Sequence, residues 1–149
     1  RLVPFEKYDT PPSYFITGGL IFQPLTKNYM QEWGNQWFLT APAKLMNLYI
    51  NGTRTENKKE VILLSRVLAD EINQGYHNIS NLVIEKVNDH NISEMKDLVK
   101  AFEENKGLFH IIEDDSGQKI ILSKDKVNRL SETILTRYRI SEDRSADLK

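Results

Sequence analysis

The side chains able to do covalent or acid–base chemistry are few and scattered. "DDSGQ" (Asp114–Gln118) offers Ser116. An activated serine in a Gly-x-Ser-Gly setting also needs a base within hydrogen-bond reach. Here the position two before the serine is Asp114, and Asp-Ser-Gly between two β-type runs is ordinary turn chemistry. The 3 histidines, His77, His90 and His110, stand singly, with no His-Glu-x-x-His spacing and no partnered His-Asp order. They are expected to play surface or sheet roles. With no cysteine there is no thiolate ligand, cysteine nucleophile or disulfide. No catalytic residue, metal site or cofactor is therefore assigned.

Non-covalent chemistry has better candidates. "PSYFITGGLIFQPL" (Pro12–Leu25) breaks an apolar, β-forming run with two adjacent glycines. Glycine weakens a plain strand, so a bare backbone there must answer another demand. One answer is a concavity of backbone N–H groups that receives an anion such as a peptide carboxylate; the other is a tight turn or bulge with no ligand. On the first reading Gly18, Gly19 and Leu20 present the N–H groups. Ile21 and Phe22 then carry an unpaired edge to which a peptide adds as a strand, and Met95, Val99 and Phe102 line the facing helix. Those three are equally explained as core positions. A second candidate is aromatic: Tyr29, Trp33, Trp37 and Phe38 lie close together in a segment that either wraps the domain's own core or contacts a neighbouring subunit.

The elements that would position these residues follow from pattern. Arg1–Pro12, with its "DTPP" breaker, is expected to be an entry loop or edge strand. Tyr14–Ile16 and Leu20–Phe22 are strand formers on either side of the glycines. "KNYMQEWGNQW" and "PAKLMNLYI" carry helical spacing, and "NGTRTENKK" closes this insertion as a solvated loop. "EVILLSRVLA" is a central strand, "DEINQGY" a short helical turn closed by Gly75, and "NLVIEKVND" a strand ending in an Asn88-Asp89 turn. Met95, Leu98, Val99 and Phe102 define an amphipathic helix with Ser93 as N-cap and Gly107 as terminator. "LFHIIED" and "QKIILS" flank a hairpin turn. Val127, Leu130, Ile134, Leu135 and Tyr138 mark a last helix, and "SEDRSADLK" is expected to fray. Strands interleaved with helices suggest an α+β fold, a small β-sandwich or barrel capped by helices rather than a doubly wound parallel sheet.

At 149 residues, 40% apolar and 28% charged, the chain suits one domain with a real core. A net charge of −1 and no long basic run argue against a general nucleic-acid binder, and no stretch is long and apolar enough to span a bilayer. The chain opens at Arg1, without a signal-like apolar segment, and is expected to be a piece of a longer protein. Asn-x-Ser/Thr triplets at Asn51, Asn78 and Asn91 are expected to be chance matches in an Asn-rich chain.

The order of these motifs resembles a PDZ domain. "GLIF" (Gly19–Phe22) resembles that family's Gly-Leu-Gly-Phe carboxylate loop, with Ile21 in place of the second glycine. "VILLSRVLADEINQGY" and "NLVIEKVNDHNISEMKDLVKAFE" resemble its later strands and second helix, with Asp89 where glycine is usual. Over nearly the whole chain, "PPSYFITGGLIFQPLT", the aromatic insertion, "VLADEINQGY", "VNDHNI" and "ILTRYRI" are similar to the C-terminal (second) PDZ domain of Deg/HtrA-type, protease Do-like serine proteases of plant organelles and some microbes. The resemblance implies a single PDZ-like domain over 1–149. Within it, 12–25 form the glycine turn and strand, 26–60 the insertion, 61–123 the PDZ core, and 124–149 the C-terminal helix and tail. It implies a non-catalytic module of an ATP-independent endopeptidase. Its partners would be peptide or unfolded-protein segments, its own protease domain and neighbouring subunits; on the subunit-contact reading of the insertion, Tyr29, Trp33 and Trp37 are the oligomer contacts. An organellar, cell-envelope or secreted compartment fits the parent. The rival expectation is a structural oligomerisation module with no open groove.

Overall fold

Phe15–Thr17 (β1) and Leu20–Pro24 (β2) form a hairpin with Thr17 opposite Leu20, so its turn is Gly18-Gly19 alone. Both glycines have positive φ, 57° and 82°, as the two-residue turn that matches strand twist requires. The protein is described by a computed structural model over residues 12–34, 36–51 and 59–149. The expected entry segment Arg1–Pro12 falls almost wholly outside these residues, as does most of the expected loop Asn51–Lys59.

Ile62–Val67 (β3) pairs with β2, and Ser80–Val87 (β4) with β3. A register shift between Ile84 and Lys86 disrupts the β4 ladder, the kind of irregularity that bends a strand. On the far side of β4 come His90–Asn91 (β5), Phe109–Asp114 (β6) and Lys119–Ser123 (β7). All pairings are antiparallel, in the order β1-β2-β3-β4-β6-β7 with β5 on β4. The main core draws on both halves: Leu20, Phe22, Ile62 and Leu64 meet Ile84, Ile112, Ile120 and Leu122. The fold is the expected α+β arrangement, an antiparallel sheet closed by helices.

Strand β3 explains why its sequence is apolar without alternation. Ile62 and Leu64 enter the main core, while Val61 and Leu63, with Val83 of β4, are covered by the insertion. The insertion consists of Lys27–Met30 (α1, capped by Thr26), a 3-10 turn over Gln31–Trp33, Trp37–Thr40 (α2) and Ala43–Asn51 (α3). A strand buried on both faces has no reason to alternate.

Two helices close the domain. In Met95–Glu103 (α4), Met95, Leu98, Val99, Ala101 and Phe102 are buried. Its N-cap is Glu94, one residue beyond the expected Ser93. The Ser93 hydroxyl instead accepts from the Lys59 amide, while the Asp97 carboxylate accepts from the Ser93 and Glu94 amides. The helix stops at a Glu104 C-cap, before the expected Gly107 terminator. Lys124–Arg137 (α5) is capped by Ser123 and buries Val127, Ile134 and Leu135.

The tail does not fray. Ile16 N–H donates to the Asp143 carbonyl at 2.7 Å, Ser145 N–H donates to the Tyr14 carbonyl at 3.1 Å, and a 3-10 turn follows over Ala146–Leu148. Among the described residues, no helix is long and apolar enough to cross a membrane.

Candidate functional site

The glycine turn is buried, and three of its four backbone polar groups are already in use. Gly18 N–H donates to the Ser131 hydroxyl at 3.0 Å, Gly18 C=O accepts from Asn73 Nδ2 at 3.0 Å, and Gly19 C=O accepts from Leu68 N–H at 2.7 Å. The expected anion-receiving concavity is therefore replaced by internal satisfaction, at least at Gly18. The bare backbone is needed for packing: a Cβ on Gly19 would lie 2.5 Å from Asn73 Nδ2 and 2.6 Å from the Leu68 carbonyl oxygen. A Cβ on Gly18 would meet Val127 at 3.0 Å and Leu122 at 3.1 Å.

The expected unpaired margin at Leu20–Phe22 is also corrected. Strand β1 pairs with these residues on one side and β3 on the other, because the chain turns straight back on itself at the glycines. Leu20 and Phe22 point into the core, whereas Ile21 faces the opposite side of the sheet. There it lines a concavity of about 550 Å³ with Gln23, Trp33, Arg66 and Ser80. Met95, Val99 and Phe102 of α4 are all buried in the main core. The Phe102 ring packs at 5.9 Å from Phe15 and 5.6 Å from Phe22, so these three rings join β1, β2 and α4 in the main core.

The open question moves to the outer edge of β1, where the C-terminal segment sits. Phe15 and Arg144 are bridge partners, and the Arg144 guanidinium lies 5.0 Å from the Phe15 ring centroid. That guanidinium makes two 2.9 Å bonds to the Asp143 carboxylate and one of 3.2 Å to Glu103 of α4. The Asp143 bonds are the main reason its proton is held even more firmly than usual. Nothing in the polar run "SEDRSADLK" announced this, since its partner lies about 130 residues earlier in the chain.

Tyr29 is buried, and Trp33 and Trp37 pack beside it in the second core cluster. Trp37 stands edge-on to Tyr49 at 5.4 Å, and Tyr29 O–H donates to Asn81 Oδ1. Burial, with Glu32 adding to it, pushes the Tyr29 hydroxyl well above its ordinary pKa. These contacts belong to the first of the two expectations for the insertion, a wrap over the domain's own core. Its outward residues are Phe38, Leu39 and Ile50. The Ser116 hydroxyl donates to Asp114 at 2.9 Å within the β6–β7 turn, the turn chemistry expected of it.

Of the surface and sheet roles expected, His110 takes the sheet one: it faces the core from β6, buried and bonded at Nδ1 to Asn88 and Asn105. Alternation in "FHIIED", which sets His110 on the face of Ile112, was the available signal.

Comparison with known proteins adds an independent line. The family profile described as "PDZ domain" matches residues 3–147. "Protease Do-like 2, chloroplastic" of Arabidopsis thaliana is 30% identical over 148 residues, covering 99% of this chain and 24% of that protein. "Putative protease Do-like 3, mitochondrial" of the same plant is 32% identical over 103 residues, 69% of this chain and 17% of that protein. "Serine protease DegP homolog" of Plasmodium falciparum (isolate 3D7) is 27% identical over 175 residues, 93% of this chain and 19% of that protein. The chain thus spans about a quarter, or less, of the length of the curated relatives it matches.

Proposed function

Because the chain belongs to the PDZ domain family, in the form carried by Do-like proteases, we propose that it is the non-catalytic peptide- or protein-binding module of a Deg/HtrA-like serine endopeptidase. Its receiving edge is then the outer side of β1 rather than the expected margin at Leu20–Phe22. Residues 143–145 hold that edge, and they are its reversible occupant. The observation that carries this reading is that the tail already lies on this edge as an added strand would, through the ladder bonds of Ile16 with Asp143 and Ser145 with Tyr14, backed by Tyr14 N–H to Ser145 Oγ, Arg144 over the Phe15 ring and its ion pair with Glu103. Each such hydrogen bond is worth about 1 kcal/mol net. A substrate strand that re-forms the same main-chain bonds competes with the tail for the edge, and terminal segments open locally without global unfolding.

The test is a titration of extended peptides against the full chain and against the double variant Arg144→Ala/Ser145→Pro. The proline removes the N–H that Tyr14 accepts from, and the alanine removes the ion pair to Glu103 and the contact with the Phe15 ring. Affinity should rise by about tenfold or more, as two lost restraints of about 1 kcal/mol imply. The amide resonances of Tyr14–Thr17 should report it. No binding by the double variant at millimolar peptide would defeat this reading.

A specific observation favours a second reading, an assembly module. Phe109, Ile111 and Ile121 are exposed on the outward face of β6 and β7, where Ile111 and Ile121 are register partners, and Leu108 is exposed just before β6. Light scattering of the parent protein carrying Phe109→Ser/Ile121→Ser discriminates: loss of an oligomer supports assembly through this face. Trp33→Ala and Trp37→Ala are poor probes, because both side chains pack within the domain.

A further inference from the structure

A cavity of about 300 Å³ opens beside Thr17, bounded by the end of α4, the first two turns of α5 and the docked C-terminal segment. One of its walls is His110, only 3% exposed. The His110 Nδ1 receives two donors, Asn88 Nδ2 at 3.1 Å and Asn105 Nδ2 at 3.0 Å. Neither amide is free to turn round. Asn88 also gives Nδ2 to the Ala101 carbonyl and accepts from Ile111 N–H at Oδ1; Asn105 gives Nδ2 to the Phe109 carbonyl and accepts from Gly107 N–H at Oδ1. A nitrogen facing two N–H donors carries no proton, so the imidazole proton sits on Nε2.

That Nε2–H has no hydrogen-bond partner among the described residues. Yet every fully buried side-chain nitrogen or oxygen among them has one. Nε2 is therefore not fully enclosed, and for so buried a ring the space it touches is the cavity it lines. Burial first, and the Lys124 ammonium second, push the His110 pKa down to about 4, so the ring is a neutral donor at ordinary pH.

The other groups facing this space are also donors. Lys124 gives one N–H to the Asn105 carbonyl and forms no ion pair among the described residues. The Ser131 hydroxyl accepts from Gly18, which leaves its own proton to give. The Asn128 carboxamide is exposed at the mouth. The two carboxylates at the rim, Glu103 and Asp143, are already bound by Arg144.

A pocket of unspent donors around a cation is the complement of a small oxyanion. We infer that this cavity receives a carboxylate, that of an Asp or Glu side chain or of a peptide C-terminus, held by His110 Nε2–H, Lys124, Asn128 and Ser131. The cavity exists with the tail docked, so its occupancy does not rest on release of the β1 edge. The tail runs antiparallel to β1 with Asp143 toward Thr17 and Ser145 toward Tyr14. A strand replacing it points its C-terminus away from the cavity, which favours an acidic side chain over a chain end.

The experiment is an NMR titration of the full chain with three short peptides: one capped at both ends with a central Glu, the same with Gln, and the Gln peptide with a free C-terminus. The capped Glu peptide should shift the His110 Nε2–H, Lys124 and Asn128 side-chain signals and bind at least about tenfold more tightly than capped Gln, as a charge-assisted contact implies. Lys124→Met should remove that preference. Asn128→Asp, at an exposed position, should weaken Glu-peptide binding by a like factor, and keeps the test decisive should Lys124→Met fail to fold. Binding by the free-C-terminus peptide alone would also support a carboxylate site and would identify the chain end as its source. Equal binding of capped Glu and capped Gln, with the free-C-terminus peptide no tighter, overturns the inference. So does a His110 that stays silent with all three peptides. Shifts confined to Tyr14–Thr17 overturn it too, while leaving the β1-edge reading standing.

Discussion

Two tight turns in this domain share a backbone and differ in everything around it. Gly18-Gly19 joins β1 to β2 with φ of 57° and 82°, and Asn88-Asp89 joins β4 to β5 with φ of 50° and 68°. Positive φ alone therefore does not demand glycine, since Asn and Asp adopt it elsewhere in the same chain. What separates the two is the neighbourhood. At the first turn Asn73 and the Leu68 carbonyl press against the main chain, leaving no room for a Cβ. At the second the side chain is itself the connector: Asn88 ties Ala101, His110 and Ile111 together. One turn is bare so that a buried side chain can reach its carbonyl, and the other is clothed so that its own side chain can reach out.

The comparison is broken most forcefully at Gly19. Gly19→Ala places a methyl inside contact distance of a backbone oxygen at φ +82°, and should lower unfolding free energy by about 3–5 kcal/mol in denaturant titration. An alanine there costing under about 1 kcal/mol would mean that only the φ mattered. Asn73→Ala comes next, at about 3 kcal/mol. It strands the buried Gly18 carbonyl and takes one bond each from the Leu68 carbonyl and the Asp70 amide.

The second turn is probed through pH, because Asn88 is bonded to His110, which burial and the Lys124 ammonium keep neutral. With its folded pKa near 4 and an ordinary value of 6.5, the unfolded state binds the extra proton. The contribution of His110 is then complete above about pH 6.5 and lost as pH falls toward about 4. Denaturation midpoints should decline across that window in the native chain and stay level in His110→Gln. Two carboxylates titrate lower still. Asp70 is depressed chiefly by its Arg137 hydrogen bond; at Asp114 burial pulls upward but is outweighed by bonds from Ser116 and Gln118. Their losses therefore fall below this window. The smallest effect is expected at Asp89→Gly: exposed, with φ 68°, it should gain no more than about 1 kcal/mol from relief of left-handed strain.

Elements were more legible than sites, and particular residues show why. The glycine hairpin, β3, the amphipathic stripe of α4 and the Val127–Leu135 face of α5 all follow from spacing, which records which side of a local element meets the core. The insertion's aromatics were visible, but not the direction in which they packed. The edge expected to be open at Leu20–Phe22 is paired on both sides, and strand-forming residues do not say which edge they offer. β1 and β2 have the same composition whether the first leaves or folds back, and only the buried turn makes it fold back.

The sequence by itself determined local conformation and family: periodicity, caps and turn residues act within a few positions of one another, and the order of such motifs marks this chain as a PDZ domain. Tertiary structure alone decided which edge is closed, which histidine is buried and where donors are left unspent. Those outcomes depend on contacts such as Arg144 with Phe15, or Ser131 with Gly18, between residues more than a hundred positions apart. Hydrogen-bond satisfaction and steric exclusion between distant segments leave no period in the chain that could announce them.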